Sequence, residues 1–180
     1  SEVEKVKEEL KKLNKEIADS SDEVDKDIER LIRESRKLTE DVRREIKRLI
    51  ERIDELRRAG VDEKELDRLL KEIIKRVEDA LRKSHESNRR IIKRVEEALK
   101  RDKELLERSD ERVAEALKRV DDEEAKRILD ENKKLVREWE EKSRAVLEKV
   151  KKLVKRDDDE NKKLLDDVKK LVDEMRERAR

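Results

Sequence analysis

The sequence has no cysteine, proline, phenylalanine or tyrosine, and in 180 residues it carries one glycine, one tryptophan, one methionine and one histidine. Glutamine is absent too. Without cysteine there is no disulfide framework, no thiolate nucleophile and no thiolate zinc site. The single histidine, His85, excludes a histidine-rich metal cage. The single glycine, Gly60, leaves no phosphate loop, dinucleotide-binding turn or nucleophile elbow, since each needs several backbone positions that only glycine tolerates. With Trp139 standing alone, stacking platforms for single strands and aromatic cages for cations are missing. Charge of one sign is missing as well: 54 Lys and Arg against 53 Asp and Glu leave a net +1, so no field draws in nucleic acid or an anionic membrane. No run approaches the roughly 20 apolar residues of a membrane span, and residues 1 to 30 hold no apolar core of a signal peptide. A soluble chain is expected, with no targeting signal and no cofactor.

What is present is charge, at 59% of residues, with 32% hydrophobic and a mean hydropathy of -1.26. Such a chain stays a disordered polyelectrolyte unless its apolar residues are strictly patterned. They are. Val3, Val6, Leu10, Leu13, Ile17, Val24, Ile28, Leu31, Leu38, Val42, Ile46, Leu49, Ile53 and Leu56 recur at alternating spacings of three and four, the period of coiled-coil helices and not of strands. The same stripe runs from Leu70 to Val113 and from Ile128 to Met175.

Two breaks interrupt it. Around Arg58-Ala59-Gly60-Val61-Asp62, Gly60 suits the left-handed position after a helix, Asp62 and Glu65 form a capping box, and Val61 with Leu66 a hydrophobic staple. Around Lys118-Arg119-Val120-Asp121, the pair Asp121 and Glu124 repeats the box, and the row Leu106, Val113, Val120 runs on to the polar Arg127. One continuous helix from 62 to 178 is the alternative there. Acidic residues open each segment and basic ones close it, which opposes the helix dipole three times. The fold expected is all-α: a long antiparallel up-down-up three-helix bundle, one domain over 1–180, with helices at about 2–58, 62–119 and 122–178. Each helix is about 87 Å long at 1.5 Å per residue. At about 2.3 apolar residues per heptad there is one inner seam per helix and no second apolar face for a large obligate interface, so a monomer is expected, with a second copy or an added partner helix as the alternatives.

Against a surface of Lys, Arg, Asp and Glu, the uncharged polar residues stand out by phase. Apart from Ser1 they are Asn14, Ser20, Ser21, Ser35, Thr39, Ser84, His85, Ser87, Asn88, Ser109, Asn132, Ser143 and Asn161, nearly all on or beside the apolar stripe. Asp102 and Asp157 fall on the same seven-residue rows and face inward. In an antiparallel pair, residues at one height have numbers with a constant sum. That rule groups Asn14, Ser109 and Asn132; Ser20, Asp102 and Ser143; Ser35, His85 and Asp157; and Thr39, Ser84 and Asn161, each within one helical turn. Buried polar layers crossing the core are therefore expected.

Ser35, His85 and Asp157 have the residue types of a nucleophilic triad. Mid-helix N–H groups are already bonded, however, and a three-helix seam offers neither oxyanion donors nor a cleft. The reading favoured is a satisfied network in which Asp157 accepts from His85, whose other nitrogen meets Ser35 or Asn88. Metal binding by His85, Asp157 and Asn161 is disfavoured, since one imidazole and one carboxylate make a weak site. No catalytic, metal or cofactor site is expected, and Trp139, in phase with Asn132 and Val146, reads as core.

Equal helix lengths, GVDEKE and RVDDEE loops with capping boxes, a surface restricted to four charged residue types, a Leu/Ile/Val core, one Trp139 and discrete Ser/Asn/His layers together resemble de novo designed helical bundles with hydrogen-bond networks. The resemblance covers the whole chain. It implies a scaffold, a component of a designed heterodimer, or a cage that accepts a key helix. Natural three-helix units of the spectrin kind are similar in topology, but their aromatic and glutamine content is absent here.

Overall fold

A computed structural model of the chain describes residues 2–119 and 121–179. Val120, which the sequence places in the second turn, lies outside the described residues. Three α-helices account for nearly all of them: α1 (Glu2–Arg58), α2 (Glu63–Arg119) and α3 (Glu123–Ala179), each 57 residues long. No strand occurs among the described residues. Helices of this length persist because their interiors contain no Pro or Gly, and their charged positions are Lys, Arg and Glu, which lose little side-chain freedom in a helix. Pairs one turn apart add support, such as Lys71 with Asp67 at 3.0 Å and Arg119 with Glu115 at 3.1 Å.

At the first turn, Gly60 takes a φ of 61°, which L side chains disfavour and glycine adopts freely. Asp62 precedes α2, its carbonyl accepting from Leu66 N at 2.8 Å. Val61 and the buried Leu66 join one apolar cluster. At the second turn the capping residue is Asp122, not Asp121: Asp122 Oδ2 accepts from Ala125 N at 3.3 Å. The helix starts at Glu123, so the cap lies one residue later than the spacing of the box implied. Asp121 instead pairs with Lys126 at 3.0 Å.

The chain divides into two compact units, each built from all three helices. The first comprises 1–31 and 92–150, the second 32–91 and 151–180. In the first unit the core gathers Val6, Leu10, Leu13 and Ile17 of α1, Leu106 and Val113 of α2, and Ala125, Ile128, Leu129 and Trp139 of α3. In the second it gathers Val42, Ile46, Leu49, Ile53 and Leu56 of α1, Leu66, Leu70, Ile73, Val77, Ala80 and Leu81 of α2, and Val168, Val172 and Met175 of α3. Each such Leu, Ile or Val taken fully out of water contributes about 1.5–3 kcal/mol before entropy is charged.

Helix directions follow from which residues meet. In the first unit α1 and α3 run parallel, because bonded pairs keep a nearly constant separation: 117 residues for Lys7 and Glu124, 118 for Asn14 and Asn132, 117 for Asp25 and Lys142. In the second unit α2 and α3 run antiparallel. Their separation there is 69 at Asn88–Asp157 and 77 at Ser84–Asn161, so stepping back along α2 means stepping forward along α3.

Candidate functional site: polar clusters inside each unit

In the first unit Asn14, Ser109 and Asn132, one from each helix, are all buried, at 7%, 0% and 1% exposure. Asn132 Nδ2 donates to Asn14 Oδ1 at 2.8 Å and to Ser109 Oγ at 3.3 Å. Asn14 Nδ2 in turn donates to the carbonyl of Ile128 at 3.2 Å, one turn before Asn132. A side-chain amide can satisfy such a site where an aliphatic residue cannot, because it presents donors and an acceptor on one short stem.

Further along this unit, Ser20 Oγ donates to Asp102 Oδ1 at 2.8 Å. Ser143, which the register rule puts at their height, does not join them through its hydroxyl hydrogen. Its Oγ donates at 2.9 Å to the carbonyl of Glu140 in its own helix, the local alternative always open to a mid-helix serine. Asp102 Oδ2 is buried and has no hydrogen-bond partner. Burial pushes the Asp102 carboxyl above the usual aspartate range, opposed by the Ser20 hydroxyl and Arg101 and reinforced by Glu23. Ser21 lies at the edge, accepting from Lys142 Nζ at 3.3 Å, and the same ammonium pairs with Asp25.

In the second unit five polar-layer residues form one connected chain. Ser35 Oγ donates to Asn88 Oδ1 at 3.2 Å, and Asn88 Nδ2 donates to Asp157 Oδ2 at 2.6 Å. Ser84 Oγ donates to the same carboxylate oxygen at 3.5 Å and accepts from Asn161 Nδ2 at 3.3 Å. Asp157 Oδ1 faces Arg43 Nη2 at 3.5 Å, an arginine that also pairs with Glu160. Every hydrogen therefore points toward Asp157, and both of its oxygens are engaged. Asn161 Oδ1 is buried without a partner.

His85 departs from the sequence reading. Its side chain is 52% exposed and its Nδ1 lies 3.2 Å from Asp158 Oδ2, not from Asp157. Successive helical residues turn by about 100°. Ser84 and Asn88, one turn apart, thus share the inward face that His85 leaves, and Asp158 is turned out beside it while Asp157 is turned in. Ser35 is spent on Asn88 and Asp157 on Asn88 and Ser84, so Ser35, His85 and Asp157 do not assemble as a triad. Thr39 and Ser87 are half-buried.

The residues that sequence reasoning missed are charged. Lys7 bridges Asp122 at 2.9 Å and Glu124 at 2.8 Å. The Asp122 and Glu124 carboxylates raise its pKa, and the Lys7 ammonium in turn holds both of them below the usual carboxylate range. Arg43, Asp158 and Lys142 were missed likewise. A signal for them exists: Lys7–Glu124, Arg43–Glu160 and Asp25–Lys142 are opposite charges separated by the same 117 residues.

No group of three or more His, Asp or Glu side chains is placed to hold a metal ion among the described residues, and no helix is long and apolar enough to cross a membrane. Open clefts lie between α1 and α2 in each unit. One of about 330 Å³ is floored by Val6, Leu10, Leu13 and Ala116, and one of about 380 Å³ by Leu49, Leu56, Leu69 and Ile73, both rimmed by Glu and Arg of the two helices. None of the polar-layer residues lines either. Beside Trp139, Ser21 and Ser143 a gap of about 10 Å³ remains, about the room of one water.

No family model matches the chain, and no curated protein matches it. Among solved structures it is similar to a "Computationally designed three helix bundle", at 22% sequence identity over 99% of this chain and 88% of that one, with a TM-score of 0.40.

Proposed function

We propose that this chain is a designed structural scaffold with no catalytic activity, whose buried polar clusters fix the register and direction of its helices. The observation that supports this most is the Asn14–Ser109–Asn132 cluster. It takes one residue from each helix, all nearly inaccessible, with Asn132 donating to Asn14 and Ser109 and Asn14 donating in turn to the Ile128 carbonyl. A slip of one helix by a single residue would turn an amide by about 100° and strand its partners in an apolar core, at about 1–3 kcal/mol for each unsatisfied group. An apolar core of the same volume carries no such penalty, which is why polar layers specify one arrangement among several that hydrophobic burial alone would accept.

The test replaces the whole cluster, with Asn14→Leu, Ser109→Ala and Asn132→Leu made together. The variant is expected to be at least as resistant to denaturant as the parent yet to give more than one species, read as multiple inter-helix distances by spin-label spectroscopy. A single set of distances identical to the parent's would show that the cluster does not set register. Light scattering of the parent is expected to give one chain mass.

A second reading, a binding module that takes an added helix or a second copy, is favoured by the two orphaned acceptors, Asp102 Oδ2 and Asn161 Oδ1, and by the clefts between α1 and α2. It requires a larger mass, or a gain in mass with an added amphipathic helix, in the same scattering experiment.

A further inference from the structure

Two carboxylates are turned into the helices, and they are provided for very differently. Asp157 receives hydrogens from Asn88 and Ser84 on one oxygen and faces the Arg43 guanidinium with the other. Asp102 receives one hydrogen, from the Ser20 hydroxyl, and its Oδ2 is buried with nothing to donate to it. An ionised carboxylate offers about four acceptor sites and no hydrogen. Leaving one oxygen dry and unbonded is among the most costly states a side chain can be held in, whereas the neutral acid in the same place is far cheaper.

The charges that bear on Asp102 do not repair this. From α1 Glu23 faces it with the same sign; from its own helix Arg101 acts without a hydrogen bond; α3 brings no charge to bear on it among the described residues. Lys142, the α3 cation that reaches across to α1, is held by Asp25 and Ser21. Ser143 spends its hydroxyl hydrogen on its own helix.

We propose that the Ser20–Asp102 pair is a proton-operated layer: uptake of one proton at Asp102 tightens the first unit, and loss of that proton loosens it. The proton goes to Asp102 Oδ2, the oxygen without a donor, while Oδ1 keeps the Ser20 hydrogen bond. The sign is opposite to that of the ion-paired carboxylates. Burial raises the folded-state pKa of Asp102, so the folded chain binds more protons than the unfolded one as pH falls through the raised value. The layer's contribution is complete below the unfolded-state value and lost as pH rises through the folded-state one. Acid therefore strengthens this layer down to the point where the other carboxylates begin to fail.

The experiment uses the full chain. A carboxyl ¹³C titration of the Asp102 side chain by NMR is expected to give a midpoint above that of an aspartate in the urea-unfolded chain, and a midpoint at or below it overturns the proposal. In parallel, Asp102→Asn, which puts a permanent hydrogen donor where the proton would sit, is compared with the parent by urea denaturation at pH 7 and pH 4. The variant is expected to be the more stable at pH 7 and to lose that advantage at pH 4. The ratio of the two unfolding constants should change by up to tenfold for each pH unit separating the folded and unfolded midpoints found by NMR, the full factor being reached only below the unfolded midpoint. An advantage independent of pH, or none at pH 7, sinks the idea. Should Asp102→Asn not fold, the titration on the parent decides alone.

Discussion

Asn132 holds its position through two hydrogens given to two other helices, and that defines what its loss would do. Asn132→Ala strands Asn14 Oδ1 and removes the hydrogen received by Ser109, so a destabilisation of about 2–4 kcal/mol is expected by urea denaturation. The triple replacement with Leu, Ala and Leu, which strands nothing, should leave stability at or above the parent's. A single-site cost below that of the triple would contradict the asymmetry. The sequence placed Asn14, Ser109 and Asn132 at one height by arithmetic on their numbers, because a turn between straight antiparallel helices fixes height. The same arithmetic put His85 beside Asp157, and there the side chains depart from it: His85 meets Asp158 while Ser84 and Asn88 take Asp157. Height is set to within a turn, but facing changes by about 100° from one residue to the next. The cue for facing was in the sequence as the four-residue spacing of Ser84 and Asn88.

At the scale of elements, the ends of the helices carry sharper consequences than their middles. Gly60 has open space where a Cβ would stand, nothing lying within 4 Å, so Gly60→Ala tests conformation alone. It is expected to cost about 1 kcal/mol through the left-handed φ, and Gly60→Asn less, both read from urea midpoints. At the start of α3, Asp122 caps the helix and also holds Lys7, which in turn reaches Glu124. Asp122→Ala is expected to lower Tm by roughly 2–4 °C, and Asp122→Asn to restore the cap but not the ion pair. Asp122 and Glu124 have lowered folded-state pKa values, so their contribution is present above the ordinary carboxylate range and fades as pH falls through the lowered values. The Lys7 contribution, with its raised pKa, is present below the ordinary lysine range and fades as pH rises through the raised one. In Lys7→Met the loss of stability between about pH 5 and pH 2 should be visibly shallower than in the parent, and an unchanged slope would remove Lys7 from the account. The cap itself was misplaced by one residue in the sequence because Asp121 and Asp122 are both good N-caps, and only the point where the helix begins chooses between them.

At the scale of the whole molecule, each compact unit draws on all three helices, and no helix breaks between one unit and the other. Opening one unit therefore ends three long helices in their interiors, exposing backbone groups that are otherwise bonded. One cooperative transition over 180 residues is expected. Trp139 is buried in the core of the first unit, so its fluorescence reports that unit while circular dichroism at 222 nm reports all three helices. The two urea curves should superimpose, and a separation of their midpoints would show that the units unfold independently.

The sequence by itself determined that the chain is helical and placed the turn at Gly60 to within a residue or two, while the second turn stood against one continuous helix from 62 to 178 until the structure ended α2 at Arg119 and began α3 at Glu123. A period of three and four without Pro or interior Gly permits no other secondary structure, and Gly60 can be placed only where φ is positive. It also determined which residues share a height. Only the tertiary structure decided which of them touch: that Asp157 receives Asn88, Ser84 and Arg43, that Asp158 is left to His85, and that Asp102 keeps one oxygen without a donor. The reason is geometric. Periodicity averages over a helical face that spans several residues, whereas a hydrogen bond requires two atoms within about 3 Å and in line, and that is settled by rotation and rotamer once the helices have met.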